Sequence, residues 1–321
     1  MAIDIEAERV VERASFREMR TVDVNDVIEY VHAGIQQWPT SRDLYDKYAI
    51  QRWNVQELDF TQDRIDWETK LSNDEKEAFL YVATGFHHGE RQVEVDLWPE
   101  FMAIDNDEDK IFLTSQMEDE ARHTIFFDRF YREVVGYDGE GIRGVLHQSY
   151  AHATPGLVGA FAYLTHLGDR IRQNPEDRHT LVEFIAAYHL WIEGVGALTV
   201  MQTTLNFCRR RGVLPGYYQG FNATTRDESR HVQFGTSVLH RMLHEDPTYV
   251  EDINRALRVN LAISSVAAFR VQYEPLGYTE EEFQGIFMNQ LMRKTRAIGL
   301  ELPQDILEAA QNVRPEAFGG G

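Results

Sequence analysis

From residue 72 onward, apolar residues recur at the three- and four-residue spacing of an α-helix. The first such stretch opens with Ser72-Asn-Asp-Glu75, which has the form of a capping box, because the Ser72 hydroxyl can accept from the Glu75 amide while the Glu75 carboxylate reaches back. The apolar positions that follow are Phe79, Val82, Phe86, Val93 and Leu97. The pattern predicts a long helix that Pro99 kinks or ends.

Further stretches of the same kind follow, separated by glycine and proline. They predict helices over about 107–135, within 154–172, over about 176–211, 217–244 and 249–273, and a last one that begins at Thr279 with Glu282 in the capping-box position. No internal repeat or linker is visible. We expect one all-α domain, with residues 72–245 as a helical core, 1–71 as an N-terminal arm and helix packed on it, and 246–321 as additional C-terminal helices.

The charge of the chain argues against several classes of partner. Acidic residues number 52 and basic residues 32, so the net charge is −20, and nucleic acid or an anionic membrane surface would be repelled. Cys208 is the single cysteine, so no disulfide can form within the chain. The first residues are unlike a signal peptide, and the longest apolar run, 156–164, is too short to span a bilayer. We therefore expect a soluble, cytoplasmic protein without membrane insertion.

Two segments repeat one pattern of side chains that can bind metal. Glu118-Asp-Glu-Ala-Arg-His123 and Arg226-Asp-Glu-Ser-Arg-His231 each contain Glu-x-x-His. Residues three apart on an α-helix lie on one face, so each motif directs a carboxylate and an imidazole to the same place. A single motif is common by chance, but two copies on separate long helices favour a site for a divalent metal such as iron or manganese. The predicted ligands are Glu120, His123, Glu228 and His231.

Two further carboxylates complete the candidate site. Glu193 is the only acidic residue in the apolar stretch 184–208, where an ionised carboxylate is costly unless a positive charge meets it. A metal would supply that charge, and so would a buried arginine. Glu90 on the first long helix is the fourth candidate. Glu94 lies one turn later on the same face of that helix, so the sequence does not show which of the two is the ligand.

The assembled set is one glutamate from each of two helices and one Glu-x-x-His from each of two others. This arrangement resembles the dinuclear site of the ferritin-like di-iron and di-manganese carboxylate proteins, and it implies their helical bundle. Four carboxylates would neutralise two divalent ions, and without metal they would repel one another and take up protons. Asp119 and Asp227 are predicted to accept from the imidazole N–H groups across the bundle, with ordinary solvated aspartates as the alternative.

Within that superfamily the layout resembles the radical-generating small subunit of ribonucleotide reductase. Additional helices over 141–172 separate the two motifs, and the resemblance is good over 72–244 and poor at the ends. In that family a tyrosine usually lies one helical turn after the first ligand histidine, where this chain has Phe127. The C-terminal residues VRPEAFGGG also lack the tyrosine of the tail that docks the large subunit. A manganese/iron subclass that tolerates the phenylalanine stays open as an alternative.

Both departures are shared by a sister family, the ligand-binding oxidases that resemble the reductase small subunit. Its members carry a valine three residues after the first ligand glutamate and a tyrosine five before the lone glutamate, here Val93 and Tyr188. The resemblance implies a long-chain fatty acid in an internal channel, and an ether link between the Tyr188 oxygen and Cβ of Val93 formed with dioxygen. Helical geometry alone would not choose this pair, because residues five apart point in different directions on a regular α-helix. Tyr188 therefore needs a local distortion of the helix, or a long reach, to face the site together with Glu193.

The resemblance also assigns the metals and a partner. It implies manganese at Glu90, Glu120 and His123, and iron at Glu193, Glu228 and His231, with di-iron as the other option. Phe127 is expected to wall the site, and the chain to form a homodimer. We therefore predict an oxygen-activating oxidoreductase. The alternatives are the manganese/iron reductase subunit, which needs a large partner subunit, and a non-catalytic bundle that binds metal or fatty acid.

Overall fold

The architecture is given by a computed structural model, which describes residues 10–266 and 273–313. Within these ranges the chain is helical and contains no strand, so the prediction of an all-α fold is confirmed. The helices are α1 (Val24–Gly34), α2 (Ser41–Gln51), α3 (Thr61–Thr69), α4 (Asn73–Ala103), α5 (Asp107–Phe130), α6 (Gly141–Ser149), α7 (Pro155–Gln173), α8 (Arg178–Ile185), α9 (Leu198–Arg211), α10 (Pro215–Glu245), α11 (Val250–Val266), α12 (Glu280–Ala297) and α13 (Gln304–Gln311). Two π-helical segments, Tyr131–Val135 and Ala186–Ala197, continue α5 and join α8 to α9.

Four long helical runs form the core, namely α4, α5, α10 and the continuous helix 178–211. Only residues 104–106 connect α4 to α5, and so short a connection makes antiparallel neighbours. Helix α10 packs against α1 and the π-helical segment 186–197, while α7 covers α4 and α11 covers the π-helical segment. Buried apolar side chains fill the space between these runs. The core thus brings the middle of four helices together.

The helices differ from the predicted ones in several places. Helix α4 continues through Pro99 to Ala103, so the proline does not end it. The segment before residue 72, predicted as an arm and a helix, contains the three helices α1 to α3 within its described residues. The predicted helix over 249–273 is found over Val250–Val266, and residues 267–272 lie outside the described ranges.

Two groups of contacts hold α10 in place. Asp63 of α3 accepts from the backbone N–H groups of Gly216 at 2.8 Å and Tyr217 at 2.7 Å. The first N–H groups of a helix have no acceptor within it, so this carboxylate satisfies two of them. Further along α10, the buried Arg226 donates to the backbone carbonyls of Ala14 and Gln51. These contacts fasten the N-terminal region to the helix that carries the second Glu-x-x-His motif.

The continuous helix 178–211 is the one described helix that is long and apolar enough to cross a membrane. However, 78% of its most apolar window is buried inside the bundle. Its composition is therefore that of a core helix, and its length does not indicate a membrane span.

Candidate metal centre

All the side chains that the sequence predicts as metal ligands meet in the middle of the bundle. Their ligand atoms form two groups, and within each group the atoms lie within 4.8 Å of one another. One group is Glu90, Glu120, His123 and Glu228, and the other is Glu120, Glu193, Glu228 and His231. Two glutamates therefore belong to both groups, as bridging carboxylates would. The sequence does not show whether Glu90 or Glu94 is the ligand. In the structure Glu94 lies outside both groups and accepts a hydrogen bond from the Thr124 hydroxyl at 2.9 Å.

Both histidines turn Nδ1 toward these carboxylates. His123 Nδ1 lies 3.6 Å from Glu90, 3.5 Å from Glu120 and 3.5 Å from Glu228, and it has no hydrogen-bond partner. His231 Nδ1 lies 3.2 Å from Glu228 and 3.3 Å from Glu120. A buried nitrogen without a hydrogen-bond partner, facing three carboxylates, has the surroundings of a ligand to a divalent metal. The residues present thus fit the dinuclear metal pair that the sequence suggests.

The other imidazole nitrogen of each histidine contacts an aspartate on the opposite helix. His123 Nε2 is 3.2 Å from Asp227 Oδ2, and His231 Nε2 is 3.2 Å from Asp119 Oδ2. This crossed contact is the one that the sequence predicts. Because an acceptor on Nε2 sets the orientation of the ring, it presents Nδ1 to the metal position. Trp53, which was not predicted, also donates its Nε1–H to Asp227 at 2.7 Å.

Two buried arginines, also not predicted, pair with these aspartates. Arg230 donates to Asp119 and to Asp227, both at 2.8 Å, and Arg122 contacts the same two carboxylates. Burial would raise the pKa of Asp227, but Arg230 and Arg122 hold it well below its ordinary value. The sequence carries a signal for both arginines, since each copy of the repeated motif has an arginine directly before its histidine.

The four ligand glutamates respond differently to burial. Burial, helped by the nearby Glu120, raises the pKa of Glu90 well above its ordinary value. Burial also raises the pKa of Glu228 to about 7, against the attraction of His231. For Glu120 and Glu193 burial acts in the same direction, but neighbouring histidines outweigh it and lower the pKa. The expectation that all four carboxylates take up protons without metal is therefore right for two of them and wrong for the other two.

Tyr188 reaches the site because its helix is wound as a π-helix. Hydrogen bonds in a π-helix run from residue i to residue i+5, so Tyr188 and Glu193 share a face within Ala186–Ala197. This is the distortion that the five-residue spacing requires. The Tyr188 hydroxyl donates to Glu120 at 3.1 Å, while Gln116 Nε2 donates to the Tyr188 oxygen at 3.2 Å and to Glu193 at 3.0 Å. Gln116 was missed, and its only sequence signal is its position one turn before Glu120.

The ligand glutamates line an apolar cavity of about 170 Å³. Val93 and Tyr188 line the same cavity, and so do Phe86, Phe161 and Trp191. Phe127 does not line it; its ring stacks on Phe86, with 5.6 Å between the ring centres. Phe127 therefore packs behind the cavity wall and does not form it.

Comparison with known proteins places the chain in a family. The family model of the ribonucleotide reductase small chain matches residues 36–267, which is more than half of the sequence. The chain belongs to this family. An R2-like ligand-binding oxidase from Sulfolobus acidocaldarius is 26% identical with a TM-score of 0.66, covering 84% of this chain and 94% of that one. An R2-like ligand-binding oxidase with aerobically reconstituted Mn/Fe cofactor is 24% identical with a TM-score of 0.63, covering 84% and 88%.

The fold of this reductase-family chain is accordingly the ferritin-like helical bundle of the R2 type, as predicted. Its buried cluster of glutamates and histidines is able to bind metals. The family match and the buried cluster of glutamates and histidines together identify the chain as a dinuclear metal protein of the oxidoreductase kind.

Proposed function

We propose that this chain is a dinuclear manganese/iron oxidase that activates dioxygen, with di-iron as the alternative metal content. The observation that carries the proposal is the pair of overlapping ligand groups in the wall of an apolar cavity. Two redox-active divalent ions bound there would supply the electrons and the Lewis acidity that dioxygen reduction needs. The part of the protein would be to hold both ions with the six ligand side chains, to keep water out, and to place an organic ligand beside them.

We assign manganese to Glu90, Glu120 and His123, and iron to Glu193, Glu228 and His231. The Mn/Fe cofactor of similar structures supports a mixed pair. Intrinsic affinity favours iron over manganese at sites of this kind, so a mixed pair has to come from the geometry of the two positions. Elemental analysis of protein loaded with Mn(II) and Fe(II) together should give one ion of each per chain. Iron alone at both positions would leave only the di-iron alternative.

A long-chain fatty acid is the proposed ligand of the cavity. The walls are mostly apolar and can accept an acyl chain. Four ligand carboxylates alone would repel the carboxylate of the acid, so the acid should bind only together with metal. Solvent extraction and mass spectrometry should recover it from metal-loaded protein but not from protein purified with a chelator. Equal recovery from both samples, or none from the loaded one, would contradict the assignment.

The proposed reaction of the chain on itself joins the Tyr188 oxygen to Cβ of Val93. Both side chains line the same cavity. The Tyr188 hydroxyl donates to Glu120, so its oxygen is held beside the proposed metal pair. The new C–O bond replaces one O–H and one C–H bond, and two protons and two electrons leave. Dioxygen would take them up and be reduced to hydrogen peroxide, or to water if the two divalent ions supply two further electrons.

Intact mass and peptide mapping test this link. Protein loaded with Mn(II) and Fe(II) without oxygen should have its unmodified mass, and air should remove the mass of two hydrogen atoms. Tyr188→Phe keeps the ring but lacks the oxygen, so it should bind metal and show no mass loss. Tyr163→Phe is the matched control, because Tyr163 also donates to a glutamate, Glu183 at 2.6 Å, but lies outside the cavity lining. Separate, unmodified Tyr188 and Val93 peptides after exposure to air would refute the link.

A second copy of the chain is the proposed protein partner. Val95, Trp98 and Met102 lie three and four residues apart on α4, so they share a face, and each is about half exposed. They form an apolar stripe on the outside of the helix that carries Glu90. Light scattering should give twice the chain mass of 37.2 kDa. Trp98→Glu should halve that value, whereas Ile65→Glu, at an exposed position on α3, should not; a monomeric wild type would contradict the dimer.

A cytoplasmic location stays a prediction from composition.

The match to the reductase small chain favours one alternative, a manganese/iron small subunit of ribonucleotide reductase. That function needs a large partner subunit. Nucleotide reduction when such a subunit is added would support the alternative, and oxygen consumption without it would support the oxidase. A non-catalytic metal- or fatty-acid-binding bundle predicts no oxygen consumption by metal-loaded protein.

A further inference from the structure

His189 lies between the ligand Glu193 and a second buried carboxylate, Glu100. Its Nδ1 is 3.1 Å from Glu193 Oε2, and its Nε2 is 3.2 and 3.1 Å from the two oxygens of Glu100. The side chains of His189 and Glu100 are fully buried. Neither residue belongs to the ligand groups. The imidazole therefore links a ligand carboxylate to a carboxylate on α4 without being a ligand itself.

The imidazole of His189 is also confined by packing. A Cβ atom added at Gly235 of α10 would overlap Cβ of His189, so the missing side chain at this glycine makes room for the histidine. The ring of Phe234 lies edge-on to the imidazole, with 5.4 Å between the ring centres. Packing and hydrogen bonds thus agree on one orientation of His189.

The corresponding glutamate of the other ligand group is held differently. Glu193 is contacted by two side chains outside the ligand groups, His189 and Gln116. Within the described residues, Glu90 has no such donor; its contacts are with His123 and Glu120, which are ligands themselves, and it lines the cavity. A carboxylate that is already oriented offers a metal a preformed site, whereas an unheld one has to be ordered when the metal binds.

We propose that His189, oriented by Glu100, is a positioning residue for Glu193, and that it makes the Glu193 position the tighter of the two metal positions. His189 acts through the carboxylate and does not touch the metal. The Glu193 position then fills first, and the Glu90 position fills second. This inference rests on the proposed metal centre.

Anaerobic titration with Mn(II) alone, followed by electron paramagnetic resonance, tests the role of His189. Wild-type protein should bind two ions with unequal affinity, and the second ion should produce the coupled signal of a metal pair. His189→Leu should weaken the tighter step by roughly 10- to 100-fold. His189→Asn keeps a donor near the Nδ1 position and should restore most of the affinity. His189→Gln places its donor toward Glu100 and should not restore it.

Phe234→Leu is the matched control, because it reduces the packing on the same imidazole but removes no hydrogen bond. It should leave both Mn(II) affinities near those of the wild type. Wild-type affinity in His189→Leu, an equal loss in Phe234→Leu, or two equal steps in the wild type would each overturn the inference. His189→Leu leaves Glu100 unpaired, so if that variant does not fold, the comparison of Asn with Gln decides. Wild-type protein that binds fewer than two Mn(II) ions would instead refute the metal centre itself.

Discussion

Two aspartates and two arginines orient the ligand histidines without adding net charge to the site. Asp119 and Asp227 each contact one histidine, and Arg122 and Arg230 contact both aspartates. Buried charges are tolerated when they are paired and hydrogen-bonded in this way. The charge that remains available to a metal is therefore that of the ligand glutamates.

The glutamates shared by both ligand groups should matter more than the unshared ones. Glu120→Ala or Glu228→Ala removes a carboxylate from both groups, so both metals should be lost. Glu90→Ala or Glu193→Ala affects one group and should leave one ion per chain. Elemental analysis of the four purified variants measures this difference. Wild-type loading in all four would rule out the site.

The ligands could be predicted from the sequence because Glu-x-x-His is a local pattern and a carboxylate in an apolar helix is unusual. Gln116 and Trp53 could not, because their contacts join distant parts of the chain and nothing in the local sequence of either residue indicates its partner. Glu90 and Glu94 share a face of α4 and differ by about one turn in height, so the choice between them depends on the position of α4 along its axis, which only the packing of the bundle determines.

At the scale of elements, the position of α10 depends on its first turn, where Asp63 accepts from two backbone N–H groups. Asp63→Ala leaves both groups without an acceptor and should lower the free energy of unfolding by about 2 kcal/mol. Urea unfolding of metal-free protein measures the change. Glu68→Ala, at an exposed position on α3, should cost less than about 0.5 kcal/mol. An unchanged midpoint for Asp63→Ala would show that these hydrogen bonds do not stabilise α10.

Helix positions could be predicted where capping residues mark them. The capping boxes of Ser72 and Thr279 are both formed, and α4 and α12 begin directly after them. The winding inside a helix could not be predicted, because the π-helical segment 186–197 has the composition of any apolar helix. The helices before residue 72 are short, and helices of that length depend on tertiary packing more than on their own pattern.

For the whole molecule, metal should stabilise the fold more at high pH than at low pH. In metal-free protein burial raises the pKa of Glu228 to about 7, and burial together with the nearby Glu120 raises the pKa of Glu90 well above its ordinary value. The pKa of His123 and of His231 is also raised, because the carboxylates outweigh burial. Groups with a raised pKa contribute stability at low pH and lose that contribution as the pH rises through the raised value. Metal replaces their protons and removes this loss.

The difference in Tm between Mn(II)-loaded and metal-free protein should accordingly grow from about pH 6 to about pH 8. Taking a difference cancels the contribution of groups whose surroundings do not change when metal binds. Scanning fluorimetry with Mn(II) or with a chelator gives the two values. A difference that shrinks or stays constant over this range would contradict the role of these groups in metal binding.

The charge of the molecule is divided between a balanced interior and an acidic exterior. With two divalent ions bound, the four ligand glutamates are matched, and the buried aspartates are matched by arginines, so most of the net charge of −20 lies outside the site. The negative charge on the outside attracts cations. Salt screens this attraction, and at about 0.1 M ionic strength its range is about 10 Å. Buried contacts are screened much less. Added salt should therefore slow the arrival of metal without loosening metal that is already bound.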